Sequence, residues 1–118
     1  MDEFVAVNQA VVALEKSGRG FTKTLKPSAG RGSPTIQIRH WGAETNIPIH
    51  HHPFNEMFYV LEGEIEIGDA VYPAGSCIYI AKGVKYGPTR APKGGKVLRY
   101  AEGRPEAAAR PGSPPEEG

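Results

Sequence analysis

Three consecutive histidines, His50-His51-His52, followed by Glu56, are the residues of this chain whose types and spacing could do chemistry. In an extended strand alternate side chains share a face. His50 and His52 therefore project together, and His51 points away. Pro53 and Asn55 bend the chain, and Glu56 then opens an apolar run over residues 56–61. If that run is the neighbouring strand, the Glu56 carboxylate lies beside both imidazoles. Two imidazoles and a carboxylate on one face make a half-open metal site, with positions left for substrate or dioxygen. The bland alternative is an exposed polar loop. An affinity tag does not fit, because the run is internal, between Ile47-Pro48-Ile49 and Pro53-Phe54.

The elements that must position these residues are short strands. The chain has 118 residues, 15 Gly and 11 Pro, and the Gly and Pro fall between short apolar runs. This is the punctuation of an all-β domain. Residues 4–7 read as an edge strand and residues 8–16 as a short helix, capped by Asn8 and ended by Gly18. Strands are expected over 21–25, 35–41, 47–52, 77–81 and 97–101. Residues 54–61 and 64–67 read as a hairpin turning at Glu62-Gly63, with further turns at Gly68-Asp69 and Pro73-Ala74-Gly75. Such spacing argues for a sandwich or barrel. Residues 1–20 form an N-terminal edge segment. The tail, residues 102–118, carries four prolines and no large apolar residue. It cannot bury enough surface to offset its ordering entropy, so disorder is expected there.

The formal net charge is +1 with scattered Lys and Arg, so neither nucleic acid nor a membrane surface is an expected partner. The single cysteine, Cys77, permits no intrachain disulfide, which fits a reducing cytoplasm. Cys77 itself reads as a small buried hydrophobe. No signal peptide and no run long enough to span a bilayer are visible.

The spacing His50, His52, Glu56, Gly63 resembles the first cupin motif: His-x-His, three residues, Glu, six residues, Gly. The Gly that usually precedes the first His by five intervening residues is Glu44 here, with Gly42 nearby. The second cupin motif is Gly, five residues, Pro-x-Gly, two residues, His. It is matched from Gly75 to Gly83, with Ala81 in place of the proline and Tyr86 in place of the histidine. The resemblance covers residues 21–101 and implies a small double-stranded β-helix, the jelly-roll or cupin barrel. It also implies one divalent transition metal on His50, His52 and Glu56. Iron is the first expectation, with zinc, manganese or nickel as alternatives.

Tyr86 then has three readings: a phenolate ligand, a general acid/base beside the metal, or a tyrosine packed at the barrel mouth. The resemblance implies a metal-dependent enzyme acting on a small organic substrate, first of all a dioxygenase-type oxidoreductase. A lyase, isomerase or cyclase using Tyr86 as acid/base is the alternative. A metal-bound sensor or binding module without turnover is the third reading, since the chain also looks similar to cupin domains attached to anti-sigma factors.

Pocket residues follow from strand parity. Phe58 and Val60 share the parity of Glu56 and should wall the pocket. Ile36, Ile38 and His40 share one face of their strand. If that face is interior, His40 is a pocket residue that could hydrogen-bond substrate or a ligand; the alternative is a satisfied core histidine. Met57, Tyr59 and Leu61 form a second apolar face, which implies cover by another sheet or by a second subunit, so a homodimer is expected. Glu62, Glu64 and Glu66 read as a solvated edge.

Overall fold

A computed structural model describes residues 4–18, 20–30 and 32–103. The described residues form nine strands: β1 (Glu15–Ser17), β2 (Gly20–Lys26), β3 (Thr35–Trp41), β4 (Asn46–Ile47), β5 (Glu56–Ile67), β6 (Ala70–Pro73), β7 (Cys77–Ile80), β8 (Thr89–Arg90) and β9 (Gly95–Ala101). Every pairing is antiparallel. One layer runs β1-β2-β3-β9-β5-β7, and the other joins β6, β5, β8 and β4. The chain is thus an all-β jelly-roll barrel, curled about one core. No helix among the described residues is long and apolar enough to cross a membrane.

Strand β5 belongs to both layers. Its residues 56–63 pair with β9, and residues 64–67 pair with β6. The expected hairpin at Glu62-Gly63 is therefore a continuous strand with a bulge between Val60 and Glu62. The extra residue, Leu61, reverses the side-chain parity. Glu56, Phe58 and Val60 are buried before the bulge, and Ile65 is buried after it. Gly63 sits at the crossing with φ +73°, where an added Cβ would lie 2.7 Å from the Gly94 carbonyl oxygen. Only glycine meets both conditions without strain. The core between the layers contains Trp41, Phe58, Val60, Ile65, Ile80, Ala91 and Val97. Trp41 meets Phe58 edge-on, with ring centroids 5.7 Å apart.

The N-terminal segment departs from the sequence reading. Residues 4–7 form no strand, and the helix shrinks to a 3-10 turn at Gln9–Val11. Asn8 does cap it, accepting the Ala10 N–H at 2.9 Å. Residues 15–17 instead pair with β2, extending the sheet beyond residue 21. Tertiary pairing outweighs a helix propensity that a short isolated turn cannot sustain. Cys77 is exposed rather than buried, because its side chain faces outward on β7 beside Tyr59. Residues 104–118, which include nearly all of the tail expected to be disordered, lie outside the described residues.

A candidate metal centre beside a buried carboxylate

His50 and Tyr86 are brought together by the backbone. The His50 N–H donates to the Tyr86 carbonyl at 3.1 Å, and the Tyr86 N–H donates to the His50 carbonyl at 3.0 Å. This isolated antiparallel bridge places residues 50 and 86 directly opposite each other. Side chains of such a pair share a face. The rings follow, with centroids 4.7 Å apart. The intervening loop is clamped as well: Gly83 N–H donates to the His52 carbonyl at 2.8 Å, and Lys82 N–H donates to Asn55 Oδ1 at 2.8 Å.

The imidazoles converge through their outer nitrogens. His50 Nδ1 lies 2.8 Å from the Pro48 carbonyl oxygen. A carbonyl only accepts, so Nδ1 carries the proton and Nε2 presents a lone pair. His50 Nε2 lies 3.1 Å from His52 Nε2. Two such nitrogens share one proton or face a common cation. The second ring is stacked on Phe54 at 4.8 Å and 14°, which fixes its plane. His51 is exposed, on the far side of the chain.

Glu56 is 2 % exposed. Its Oε1 accepts the Tyr86 hydroxyl at 2.6 Å and lies 3.7 Å from His52 Nε2. Its Oε2 accepts Arg99 Nε at 2.8 Å, and the Arg99 side chain is fully buried. Arg99 Nη1 donates to Gln37 Oε1 at 3.4 Å, and Arg39 donates to the same oxygen through Nε and Nη2 at 3.2 and 3.0 Å. A polar chain, Arg39–Gln37–Arg99–Glu56–Tyr86, thus runs through the barrel interior. Burial, reinforced by the Glu56 charge and hydrogen bond, pushes the Tyr86 phenol well above its usual range. With these neighbours the hydroxyl holds its proton as a donor.

The donor set fits a borderline divalent cation: two imidazole Nε2 atoms within one ion's reach of each other, and a carboxylate oxygen alongside. Among the described residues, however, no group of three or more His, Cys, Asp or Glu side chains is already gathered as a metal cluster. The two oxygens of Glu56 are engaged by Tyr86 and Arg99. The pairing His50 Nδ1–H to a backbone carbonyl is the outer contact that metal-binding imidazoles usually make.

Phe58 and Val60 are fully buried on the same side of β5 as Glu56 and belong to the packed core. His40 is elsewhere. The interior face of β3 carries Gln37, Arg39 and Trp41, paired with Arg99, Val97 and Gly95 of β9. Ile36, Ile38 and His40 lie on the opposite face of the strand, where Ile38 is buried, and His40 lines a surface hollow of about 380 Å³ with Glu62, Lys93 and Lys96. The condition for a pocket role of His40, that this face be the interior, is not met, because the barrel interior is partly polar and Gln37 and Arg39 hold it. Sequence reasoning missed Arg99, Arg39 and Gln37 altogether. The available signal was Arg99 within the apolar run of β9, which is out of place unless it is paired.

A family model described as the ChrR cupin-like domain matches residues 5–105. The chain belongs to this cupin family. No curated protein matches this cupin in sequence. Among solved structures it is similar to an RmlC-like cupin from Shewanella frigidimarina, with 18% identity, TM-score 0.72, and 90% and 96% of the two chains covered. It is also similar to the polyketide cyclase RemF from Streptomyces resistomycificus, with 16% identity, TM-score 0.71, and 85% and 80% covered. A third likeness is to a chain of the Rhodobacter sphaeroides complex of SigE with the anti-sigma ChrR. There identity is 18% and TM-score 0.61, and the alignment covers 81% of this cupin and 51% of that chain. At these identities the likenesses establish the shared barrel.

Proposed function

We propose that this cupin is a metal-dependent enzyme acting on a small organic substrate, an oxidoreductase of the dioxygenase type. The observation that carries this reading is the approach of His50 Nε2 and His52 Nε2 to 3.1 Å, with the Glu56 carboxylate beside them. Two imidazoles and a carboxylate leave the remaining positions of an ion open, the pattern of non-haem iron oxygenases. A divalent ion held there supplies Lewis acidity toward a substrate oxygen and, if it is iron, the redox chemistry of dioxygen. Arg99 and Tyr86 orient Glu56 through its two oxygens. Phe54 stacks on His52 and fixes its ring. Phe58 and Val60 seal the wall behind Glu56 against water.

A second reading, a lyase, isomerase or cyclase, is favoured by one contact. Tyr86 Oη, 2.6 Å from Glu56 Oε1 and next to His50, can relay a proton between a substrate oxygen or carbon and the Glu56 carboxylate, the hydroxyl giving up one proton as it takes another. The polyketide cyclase likeness keeps this reading in view.

Oxygen consumption separates them. Iron-loaded protein is mixed with candidate diketones and phenolics without oxygen, and oxygen is then admitted. Oxygen uptake by wild type and not by Glu56→Ala supports the dioxygenase. Product formation before oxygen is admitted supports the proton-transfer reading. Retained metal with neither activity leaves the binding module.

We further propose that the outer face of the β3–β9–β5–β7 layer pairs with a second copy of this chain. Tyr59, Tyr79, Tyr100 and Leu61 are exposed on it, and it carries no charged residue between Tyr79 and Leu98 along the paired rows. Two copies of such a face meet without like-charge repulsion, and tyrosines suit an interface. Elution as a dimer that Tyr59→Arg converts to a monomer would support it; elution of wild type as a monomer would exclude it.

A further inference from the structure

The candidate metal centre is held in two different ways. His50 is fixed by backbone: its Nδ1–H donates to the Pro48 carbonyl oxygen at 2.8 Å, and its strand is bridged to Tyr86. His52 and Glu56 are held by side chains. The His52 ring lies flat on Phe54, with centroids 4.8 Å and planes 14° apart. Phe54 is buried, but it sits in the bend before β5, outside any strand. Its ring is therefore placed by what packs against it rather than by a ladder of backbone bonds. The guanidinium carbon of Arg99 lies over that same ring, 5.9 Å from its centroid. A cation over an aromatic face is attracted by the ring quadrupole, most strongly away from water. Arg99 Nε also donates to Glu56 Oε2 at 2.8 Å. One buried side chain of β9 thus meets both the ring that His52 rests on and the carboxylate. Arg99 is itself anchored to the sheet. Its Nη1 donates to Gln37 Oε1 at 3.4 Å, and Gln37 Nε2 donates to Thr24 Oγ1 at 3.3 Å.

We infer that Arg99 is a positioning residue of the candidate metal centre, holding Glu56 directly and His52 through Phe54, so that both share one support on β9. The inference rests on the metal-centre reading for its consequence, cation affinity, and not for the placement of the His52 ring. Without the guanidinium the Phe54 ring loses its clamp, the His52 ring loses its plane, and Glu56 loses the donor on Oε2. Supports behind metal ligands of this kind change affinity by roughly 10–100-fold when removed. The effect is selective within the site. His50 keeps its orientation, because the Pro48 carbonyl and the bridge to Tyr86 hold it without Arg99.

Two measurements on the full-length chain test this. In metal-free protein, NMR follows the His52 ring protons. Protons over an aromatic face are shielded, so Phe54→Leu should move them downfield. Arg99→Met should move them too, while the ring protons of His40, on the other face of the sheet, stay in place. Co²⁺ is then titrated and read by its visible absorption. Phe54→Leu and Arg99→Met should bind it at least about tenfold more weakly than wild type, with an altered band shape. Arg99→Lys keeps a cation beside Glu56 and should fall between wild type and Arg99→Met. A merely stabilising Arg99 would lower the urea midpoint of Arg99→Met and leave the His52 signals of the folded protein where they are; that result overturns the inference. Wild-type cobalt affinity and band shape in both Phe54→Leu and Arg99→Met would overturn it as well. Should Arg99→Met not fold, Phe54→Leu and Arg99→Lys decide by the same readings. Wild type that binds no cobalt, yet whose His52 signals respond to Arg99→Met, would remove the metal centre and leave the positioning role standing, so the two failures are distinguishable.

Discussion

Tyr86 donates its hydroxyl to Oε1 of Glu56 at 2.6 Å, from the position where cupins usually carry the last histidine of their second motif. The substitution therefore keeps a polar group at the site but turns it toward the carboxylate. The His50–Tyr86 backbone bridge fixes this arrangement. Tyr86→Phe should retain bound metal, because both imidazoles and Glu56 remain. Loss of a hydrogen bond to a buried carboxylate should lower stability by about 1–3 kcal/mol in urea unfolding. If the phenol moves a proton, turnover falls by roughly 100-fold or more. A variant unchanged in stability, metal and turnover would reduce Tyr86 to packing.

Glu56 is the hub of the interior. Glu56→Ala removes the carboxylate from Arg99, whose side chain is fully buried. Breaking a buried pair from one side should cost about 3–5 kcal/mol. Glu56→Gln keeps shape and an acceptor oxygen, and should cost less. Urea midpoints rank the two; a loss below about 1 kcal/mol for Glu56→Ala would mean that the pair does little for the fold.

Gly63 permits β5 to serve both layers. At φ +73° with a carbonyl oxygen 2.7 Å from the added Cβ, Gly63→Ala is strained twice. It should destabilise by about 1–3 kcal/mol. Gly75, at φ +93° with nothing within 4 Å of the added Cβ, makes the control. Gly75→Ala should lower the melting temperature less than Gly63→Ala; the reverse order would contradict the assigned crossing.

His40 should titrate outside the chemistry. Partial burial, then the charges of Lys96 and Lys23, lower its pKa below the ordinary 6.5. The folded state therefore prefers the neutral ring. Its contribution to stability is fully present above the unfolded value and is lost as pH falls through the depressed folded value. An NMR titration should give a midpoint below 6.5 that rises in Lys96→Gln. His40→Gln should leave metal content unchanged.

The site was legible where its signal is local. His50, His52 and Glu56 are fixed by a short motif, and the inward parity of Glu56, Phe58 and Val60 follows from simple alternation. Beyond that, local pattern was not enough. Alternation over β3 set Ile36, Ile38 and His40 on one face without telling which face is interior; Gln37 and Arg39 hold the interior because Arg99 and Glu56 provide polar partners there. Gly63 looks like a hairpin residue, since a bulged crossing and a turn use the same positive-φ glycine. Strands β4 and β8 have two residues each and carry no periodicity to read. The Tyr86–Glu56 contact spans 30 residues and exists only through the fold.

Metal content tests the central claim most directly. Untagged protein, exposed to iron, zinc, manganese and nickel in turn and then desalted, is analysed beside the His50→Ala/His52→Ala variant by elemental mass spectrometry. The account predicts close to one equivalent of a divalent metal in wild type and essentially none in the variant. Equal, sub-stoichiometric metal in both would contradict it.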